Sequence, residues 1–344
     1  MNNRRALITG ITGQDGAYLA KLLLDEGYEV YGAYRRSSTG NLGRLQELGV
    51  ADAIHLEPFE LLEFSNILRS IERIHPDEIY NLAAQSFVGT SFELPIFTSD
   101  VNALGVARIL EAIRVVAQGD IRFYQASTSE MFGKAAERPQ RETTPFHPRS
   151  PYGVSKVYSY WLTVNYREAF GIHGSNGILF NHESPYRGLE FVTRKITYTL
   201  AEIRHGMKDL LELGNIDAKR DWGYAGDYVR GMWLMLQQDT PDDYILASGE
   251  THSVREFLEL AAEAAEFHLS WEQTDGKWVG TDRRSGKTIV RTSANLMRPA
   301  EVDELLGDAS KAATKLGWKP DVTLPQLVAM MVESDLRRVR EEGR

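Results

Sequence analysis

Tyr152 and Lys156 have the side-chain types, and stand at the spacing, that proton transfer beside a nicotinamide requires. They are four residues apart at the start of a predicted helix, in the motif Tyr-Gly-Val-Ser-Lys, so both side chains lie on one face. A free tyrosine has a pKa of about 10 and is a poor base at neutral pH. A lysine ammonium and the positive charge of an oxidised nicotinamide both favour the phenolate. The pair therefore predicts hydride transfer to and from such a cofactor.

Glu130 adds a second proton-transfer group to this chemistry. It stands 22 residues before Tyr152, in the run Ser127-Thr128-Ser129-Glu130 at the end of a predicted strand. A second base allows water to be eliminated after an alcohol has been oxidised. We predict that Thr128 hydrogen-bonds the reacting hydroxyl, whereas Ser129 either belongs to the catalytic site or caps a helix. Glu130 alone is equally typical of an exposed carboxylate in the first turn of a helix, and its position beside Thr128 is what favours catalysis.

A glycine-rich turn follows the first predicted strand and opens the first helix. Its glycines allow a tight turn, close approach of a pyrophosphate to the backbone, and close packing of helix on strand. The helix N-terminus supplies N–H groups and a positive dipole end to the phosphates. The spacing is GxxGxxG rather than GxGxxG, and the strand–turn–helix context is what predicts a dinucleotide site. The residues assigned to it are Gly10, Thr12, Gly13, Gln14, Asp15 and Gly16.

The end of the second strand predicts the type of dinucleotide. An acidic residue there binds the ribose 2′-hydroxyl of NAD, while arginine accommodates the 2′-phosphate of NADP. This chain has arginines and no acid in that window, so we predict NADP, with solvated surface charge as the alternative explanation. The residues assigned here are Arg35, Arg36, Asn41 and Arg44. A small-residue segment after the fourth strand is also predicted to lie along the cofactor: Leu82, Ala83, Ala84, Gln85 and Ser86.

Strand-length apolar runs alternate with helical patterns through the first half, which is typical of parallel βαβ units. The predicted strands are Ala6–Thr9, Glu29–Ala33, Ala53–Leu56, Glu78–Leu82, Arg122–Ala126 and Gly174–Leu179. The predicted helices are Tyr18–Glu26, Phe64–His75, Thr98–Val116, Tyr152–Phe170 and Leu324–Arg340. Thr274–Lys287 is predicted to be a loop or an irregular hairpin. We predict an α/β fold, with a Rossmann-type doubly wound parallel sheet at 1–180, to which part of the later chain returns, and a smaller mixed α/β C-terminal substrate lobe at 181–344.

Composition limits the possible partners of this chain of 344 residues. Its 39 basic and 48 acidic residues give a net charge of −9, which argues against nucleic acid or an anionic membrane. It has no cysteine, which excludes disulfides and thiolate chemistry and fits a reducing compartment. No signal-peptide pattern precedes the first strand, and no apolar run approaches the roughly 18 residues of a membrane span. We expect a cytoplasmic protein without a metal site.

Together these residues resemble the extended short-chain dehydrogenases and, among them, the GDP-mannose 4,6-dehydratase family. The resemblance covers essentially the whole chain, including the substrate lobe, which distinguishes this family from its dTDP-sugar and UDP-sugar relatives. The segments that carry it are Gly10–Gly16, Tyr80–Ser86, Phe123–Glu130, Asn181–Pro185, Val192–Lys195, Asp217–Gly223 and Arg298–Val302.

The resemblance implies a series of proton transfers on GDP-mannose. Tyr152 would take the proton of the 4-hydroxyl as hydride passes from C4 to NADP. Glu130 would then take the C5 proton, made acidic by the new ketone, and help the 6-hydroxyl leave as water. Hydride would return to C6, giving GDP-4-keto-6-deoxymannose with no net oxidation, so the cofactor can stay bound between turnovers.

The resemblance also implies further binding residues. Additional cofactor contacts would come from His182, Arg187, Glu60 and Leu61. Contacts to the GDP-sugar would come from Ser86, Glu130, Asn181, Arg187, Lys195, Arg220, Arg298 and Glu301. Forked guanidiniums suit a diphosphate, and a carboxylate suits the guanine edge. Surface ion pairs are the alternative explanation for Arg220 and Arg298.

Two positions depart from the family's pattern. Relatives usually have Asp-Leu where this chain has Glu60-Leu61, and many have a second arginine where Tyr186 stands. In such enzymes the segment Arg35–Arg44 reaches a neighbour's cofactor, which implies a homotetramer or a homodimer.

Three other functions compete with this one. The first is dehydration of a related GDP-sugar such as GDP-manno-heptose. The second is an epimerase or 4-reductase of the same fold, which would not require Glu130. The third is a non-catalytic NADP-binding regulator, against which the intact Thr128, Tyr152 and Lys156 argue.

Overall fold

The computed structural model describes residues 4–38, 40–117, 121–296 and 305–343. Its strands are β1 (Arg5–Thr9), β2 (Glu29–Tyr34), β3 (His55–Pro58), β4 (Glu78–Asn81), β5 (Arg122–Thr128), β6 (Gly174–Leu179), β7 (Asn181–Glu183), β8 (Leu211–Leu213), β9 (Lys219–Arg220), β10 (Trp222–Tyr224), β11 (Tyr244–Leu246), β12 (His252–Ser253), β13 (Leu269–Thr274), β14 (Lys277–Asp282) and β15 (Thr288–Thr292). Its α-helices are α1 (Gln14–Asp25), α2 (Gly43–Glu47), α3 (Phe64–Ile74), α4 (Val88–Glu93), α5 (Pro95–Ser99), α6 (Gly105–Ala117), α7 (Pro151–Phe170), α8 (Val192–Arg204), α9 (Ala225–Leu236), α10 (Val254–Ala264), α11 (Ser310–Leu316) and α12 (Leu324–Glu342). Within these residues, 3₁₀ turns lie at Ala51–Ala53, Ser129–Met131 and Ala294–Leu296, and a π-helical turn lies at Asp100–Leu104.

Seven parallel strands form the central sheet, in the order β11-β6-β5-β4-β1-β2-β3. Helices α1 and α9 pack on one face through buried residues such as Leu19 and Met232. Helices α3 and α6 cover the other face with Ile67 and Ile109. Because helices cover both faces, β4 is buried at every residue. The predicted Rossmann-type doubly wound sheet is confirmed.

The predicted strands end within two residues of the observed ones. The largest displacement is at β3, because Ala51–Ala53 forms a 3₁₀ turn and delays the strand to His55. Helix α1 begins four residues earlier than predicted, at Gln14, since Gly13 occupies its N-cap position. Strand β11 lies beside β6 in the central sheet, although more than sixty residues separate them in the sequence. Part of the later chain thus returns to this sheet, while the boundary at residue 180 stays a prediction.

Outside the central sheet, a four-stranded sheet in the order β13-β14-β15-β8 and helices α8, α10 and α12 share one core, and we call this unit the second lobe. Helices α8, α10 and α12 pack together through buried residues such as Leu200, Phe257 and Met331. Of the two predictions for Thr274–Lys287, the irregular hairpin is confirmed: β13 and β14 form a paired hairpin, and β14 pairs with β15 with a register shift between Gly280 and Thr281. Asp275 and Gly276 both have positive φ, as a two-residue hairpin turn requires. Within the described ranges, no helix is long and apolar enough to cross a membrane.

The π-helical turn lies between α5 and α6 and carries Asn102. The buried amide of Asn102 exchanges two hydrogen bonds with the backbone of Gln85, at 2.8 and 2.9 Å. Its Nδ2 also donates to Ser155 Oγ on α7, at 3.2 Å. Single π turns inside helices occur frequently at functional sites. This turn fastens the loop after β4 to the helix that carries Tyr152 and Lys156.

Candidate active site

A cleft of about 640 Å³ opens where the carboxyl ends of β1, β4, β5 and β6 face the second lobe. Doubly wound sheets bind ligands at this end of their strands. Many of the predicted site residues line it together: Gly10, Thr12, Gly13, Gln14, Asp15, Gly16, Asn41, Arg44, Leu82, Ala84, Ser86, Thr128, Ser129, Glu130, Tyr152, Lys156, Asn181, His182, Arg187, Lys195 and Arg220.

Other predicted site residues do not themselves line the cleft: Arg35, Arg36, Glu60, Leu61, Ala83 and Gln85. Arg35 and Arg36 are exposed just beyond β2. Leu61 is buried in the core between α3 and α6. Arg298 and Glu301 fall outside the described residues.

The glycine-rich turn presents bare backbone to the cleft. Gly10 has φ of +70°, and a Cβ there would lie 2.9 Å from the backbone nitrogen of Ala83. A Cβ at Gly16 would lie 2.4 Å from the carbonyl oxygen of Gly10. Gly13 is the N-cap of α1 and no side chain caps this helix. The first turn of α1 therefore offers uncapped N–H groups to an anion, which fits a dinucleotide pyrophosphate.

Helix α7 presents Tyr152 and Lys156 together. Ser150 Oγ caps the helix by accepting a backbone N–H at 3.0 Å, and Pro151 occupies its first turn. Tyr152 is 8% exposed and Lys156 4% exposed. The Lys156 ammonium donates to the carbonyl oxygen of Ala126 at 2.8 Å. Burial lowers the pKa of Lys156 to about 8.

Some neighbours of Tyr152 raise the pKa of its phenol and others lower it. Burial raises the pKa of Tyr152 to about 12. A hydrogen bond with Thr128 and the positive charge of Arg187 lower that pKa, while the Glu130 carboxylate raises it further. The phenol therefore needs additional positive charge nearby before it can act as a base at neutral pH.

Glu130 lies on the 3₁₀ turn that follows β5. Thr128, rather than Ser129, caps this turn, with its Oγ1 accepting the N–H of Glu130 at 3.2 Å. Helix α7 packs directly on the turn: a Cβ at Gly153 would lie 2.8 Å from the Glu130 carbonyl oxygen. Glycine at this position brings the two segments together. The Glu130 side chain consequently enters the same cleft as Tyr152.

His182 joins the glycine-rich turn to β7. Its Nε2 lies 2.8 Å from Asp15 Oδ2, and its Nδ1 lies 2.8 Å from the carbonyl oxygen of Phe180. A carbonyl oxygen and an ionised carboxylate both accept hydrogen bonds, so this arrangement favours the doubly protonated imidazolium form of the ring. Burial lowers the pKa of His182, but the charge and hydrogen bond of Asp15 outweigh it and raise the pKa overall. Burial likewise raises the pKa of Asp15, but the charge and hydrogen bond of His182, together with Gln14 and Arg187, lower it overall.

Arg187 is held on two sides within the cleft. Its Nε lies 3.0 Å from Glu183 Oε2, close enough for an ion pair but without the alignment of a hydrogen bond. Its guanidinium carbon lies 3.5 Å from the centre of the Phe191 ring. Thr193 donates to the same carboxylate oxygen at 2.5 Å, which fixes Glu183. Among the described residues, neither terminal nitrogen of Arg187 has a hydrogen-bond acceptor, so this edge is available to an anionic ligand.

Arg44 crosses from one wall of the cleft to the other. Its Nε donates to the carbonyl oxygen of Tyr186 at 2.7 Å, and one terminal nitrogen donates to that of Thr12 at 3.0 Å. The Tyr186 ring packs against Tyr18 and lies 5.2 Å from the Arg338 guanidinium carbon. Because Arg44 uses the backbone of residue 186, the tyrosine found here preserves this contact.

The second-lobe side of the cleft carries Asn181, Lys195 and Arg220. Burial lowers the pKa of Lys195. Arg220 is largely buried, and one of its terminal nitrogens donates to the backbone of Lys219 at 2.7 Å. Lys195 and Arg220 therefore place positive charge opposite the glycine-rich turn.

Sequence reasoning missed several residues that line the cleft, among them Phe87, Glu183 and Phe191. An aromatic residue in a loop gives no chemical signal by itself. Glu183 stands inside the matched segment Asn181–Pro185, which was the signal available for it.

The chain matches the family model described as GDP-mannose 4,6 dehydratase over residues 7–331. A GDP-mannose 4,6-dehydratase of Sinorhizobium fredii is 52% identical over 347 residues, covering 99% of this chain and 99% of the relative. The GDP-mannose 4,6 dehydratase of Homo sapiens is 50% identical, covering 97% of this chain and 92% of the relative. A solved dTDP-glucose 4,6-dehydratase of Streptomyces venezuelae, with NAD and TYD bound, has a similar fold, with a TM-score of 0.82 at 22% identity over 98% of both chains. The chain belongs to the GDP-mannose 4,6-dehydratase family.

Proposed function

We propose that this protein is a GDP-mannose 4,6-dehydratase, which converts GDP-D-mannose into GDP-4-keto-6-deoxy-D-mannose and water with NADP as cofactor. The observation that carries the proposal is that Glu130 lies in one cleft with Tyr152 and Lys156. The tyrosine–lysine pair suits oxidation at C4. The added carboxylate suits the elimination that follows, which an epimerase or a reductase does not perform.

NADP fits the glycine-rich side of the cleft. The backbone of the turn and the uncapped start of α1 would hold its pyrophosphate. The arginines after β2, which has no acid at its end, favour a 2′-phosphate. The other residues proposed to hold NADP are Asn41, Arg44, Glu60, Leu61, Leu82, Ala83, Ala84, Gln85, Ser86, Tyr152, Lys156, His182 and Arg187. Bound NADP would accept hydride from C4 of the sugar and return it to C6.

Tyr152 and its neighbours would carry out the first proton transfer. The Tyr152 phenolate takes the proton of the 4-hydroxyl, and Thr128 hydrogen-bonds the same hydroxyl to orient it. The Lys156 ammonium stabilises the phenolate, since an adjacent cation favours the charged form of a tyrosine. Arg187 adds positive charge on the other side. The result is a ketone at C4.

Glu130 would carry out the elimination. The C4 ketone acidifies the proton on C5, and the Glu130 carboxylate takes it. The bond between C6 and its hydroxyl breaks, and the leaving group departs as water with a proton that Glu130 supplies. After reduction at C6, a proton returns to C5. Of the two protons taken from the sugar, the one on Glu130 leaves in the water and the one on Tyr152 returns to C5, so water is the only net loss and both side chains recover their starting state.

The second-lobe side of the cleft would hold the GDP portion. Arg187 offers a forked donor edge that matches a diphosphate oxygen pair. Ser86 and Glu130 would face the mannose ring, and Asn181, Lys195 and Arg220 would complete the nucleotide contacts, with Arg298 and Glu301 proposed from the sequence alone.

We also propose that the enzyme acts as a homodimer or homotetramer in the cytoplasm. Helices α4, α5 and α7 carry large apolar side chains that are exposed to solvent, including Phe92, Ile96, Val154, Tyr158 and Trp161. Ile96 is 82% exposed. The last three recur at helical spacing on one face of α7. Contiguous apolar surface of this kind marks an interface, and a second copy of the chain is the partner that the family resemblance favours.

The test is incubation with GDP-mannose and catalytic NADP, followed by mass spectrometry. The expected result is a GDP-sugar lighter by one water, with NADP neither consumed nor required in stoichiometric amount. Parallel reactions with GDP-manno-heptose, UDP-glucose and dTDP-glucose measure the preference for the sugar and the base. Failure to dehydrate GDP-mannose while the cofactor is bound would overturn the proposal, and efficient dehydration of the heptose alone would replace the substrate.

A further inference from the structure

Three polar side chains form a row across the middle of the central sheet: Thr9 on β1, Asn81 on β4 and Gln125 on β5. The strands pair in register at these positions, with Thr9 opposite Asn81 and Asn81 opposite Gln125. All three are buried, with 1%, 2% and 0% of their surfaces exposed. Buried polar groups in an apolar sheet cost free energy unless each is hydrogen-bonded. The groups at the two ends of the row must therefore provide the hydrogen bonds that its members do not make with one another.

The first end of the row lies at the loop that follows β4. The backbone N–H groups of Leu82 and Ala83 both donate to Thr9 Oγ1, at 3.0 and 3.1 Å. With both acceptor positions of the hydroxyl occupied, its single proton must point to Asn81 Oδ1, at 2.7 Å. The orientation of the Asn81 amide is thereby determined by the backbone.

The second end of the row lies at the catalytic lysine. The Asn81 amide nitrogen donates to Gln125 Oε1 at 2.8 Å, so the Gln125 amide nitrogen must point the other way. It donates to the carbonyl oxygen of Ala126 at 2.9 Å. The same carbonyl accepts the Lys156 ammonium at 2.8 Å. Every donor in the row thus points from the loop after β4 towards the acceptor that holds Lys156.

The Ala126 carbonyl oxygen orients the Lys156 ammonium. Among the described residues, it is the one hydrogen-bond acceptor of the ammonium. An ammonium has three N–H donors, so fixing one at Ala126 directs the other two. Chains of hydrogen bonds that polarise one another are also more rigid than isolated bonds.

We propose that Gln125 is a positioning residue for the dehydratase reaction: the row from Thr9 through Asn81 and Gln125 fixes the Ala126 carbonyl, and through it the direction of the Lys156 ammonium. The inference rests on the proposed function, because it takes Lys156 as the partner of the base Tyr152. It also joins the loop after β4, on the proposed cofactor side, to the helix that carries the tyrosine.

Gln125→Met is the main test, because methionine has a similar length and cannot donate to the Ala126 carbonyl. We expect kcat for GDP-mannose to fall about ten- to a hundredfold, as small misplacements of catalytic groups do, with KM nearly unchanged. The acid limb of the kcat profile should move to higher pH, since a displaced ammonium supports the phenolate less. Amide hydrogen exchange of residues 126–128 should be faster than in the wild type.

Thr163→Val on α7 is the matched control. It removes one fully buried hydroxyl, which donates to the Ser159 carbonyl and has no link to Lys156. It should lower stability without changing kcat, the pH profile or the exchange at residues 126–128. If Gln125→Met behaves like this control, with a loss of stability and nothing else, the row is structural and the proposal is wrong.

Gln125→Glu keeps the shape of the side chain and provides a second test if the methionine variant does not fold. A neutral carboxyl can donate to the Ala126 carbonyl, whereas an ionised one cannot. Activity relative to wild type should therefore fall as pH rises through the titration of the new carboxyl. A constant ratio across pH would contradict the positioning role. Wild-type enzyme that fails to dehydrate GDP-mannose would instead refute the proposed function, so the two failures are distinguishable.

Discussion

The guanidinium of Arg187 lies over the ring of Phe191, with its central carbon 3.5 Å from the ring centre. Glu183 approaches the Nε edge of the same guanidinium from the side, at 3.0 Å. The ring and the carboxylate together leave the terminal nitrogens directed into the cleft. A buried carboxylate beside a proposed diphosphate site is unfavourable by itself, so its value lies in fixing the direction of Arg187.

Replacement of this arginine should weaken substrate binding. Arg187→Lys keeps the charge but loses the fork and the flat stacking surface, so we expect KM for GDP-mannose to rise about tenfold or more. Phe191→Leu should raise KM only a few-fold, in line with the about 0.5–1 kcal/mol of a partly exposed cation–π contact. Steady-state kinetics measures both. Arg255→Lys is the control. The Arg255 guanidinium carbon lies 3.8 Å from the centre of the Trp278 ring, and Arg255 does not line the cleft. Equal effects at the two arginines would argue against a binding role for Arg187.

Loss of the second base should stop dehydration while leaving the cofactor in place. For Glu130→Gln we expect kcat to fall about 10²- to 10⁴-fold, the range typical of general acid–base groups, with NADP content unchanged. Glu168→Gln, on the exposed far part of the same helix as Tyr152, should have no effect. Single-turnover product analysis by mass spectrometry, together with cofactor content by absorbance, checks both. Near-normal turnover by Glu130→Gln would refute its role as the base.

The activity should depend on pH in a way that Lys156 controls. Burial lowers the pKa of Lys156 to about 8, so its support for the Tyr152 phenolate should fade as pH rises through that value. We expect kcat to decline on the alkaline side for this reason. Lys156→Arg keeps a positive charge at all accessible pH values, so its kcat should be lower but should lack the alkaline decline. A decline of the same form in both proteins would assign it to another group.

The His182–Asp15 pair should stabilise the fold within a defined pH window. The pKa of His182 is raised, so its contribution is complete below the ordinary histidine value and is lost as pH rises through the raised value. The pKa of Asp15 is lowered, so its contribution is present above the ordinary aspartate value and is lost as pH falls through the lowered one. The pair is therefore strongest between about pH 4 and pH 6.5.

Asp15→Asn tests this window by removing the charge but not the shape. We expect the free energy of unfolding to fall by about 2–4 kcal/mol near pH 6, because one partner of a largely buried ion pair is left alone. The loss should shrink at higher pH, where His182 becomes neutral. Asp25→Asn breaks an exposed pair with Lys21 and should cost less than about 1 kcal/mol. Denaturant titrations at several pH values check both, and a loss independent of pH would contradict the ion pair.

Local patterns in the sequence were sufficient for six of the seven strands of the central sheet and for the catalytic group. The alternation of strand and helix patterns predicted the sheet, with strand ends within two residues, because period and turn chemistry are local properties. The four-residue spacing of Tyr152 and Lys156 placed them on one helix face for the same reason. The glycine-rich turn was predicted from its own residues. The start of α1 was not, because glycines such as Gly13 and Gly16 have a low propensity for helix.

Only the tertiary structure decided which distant groups meet. His182 and Asp15 are joined because β7 returns beside the start of α1, and no periodicity encodes that approach. The row from Thr9 to Gln125 exists because three strands far apart in the sequence pair in one register. The sequence by itself determined which chemistry was available and on which elements it stood. The packing of those elements decided the direction of each donor and the charge around each base, because hydrogen bonds and desolvation depend on distances that separate segments set together.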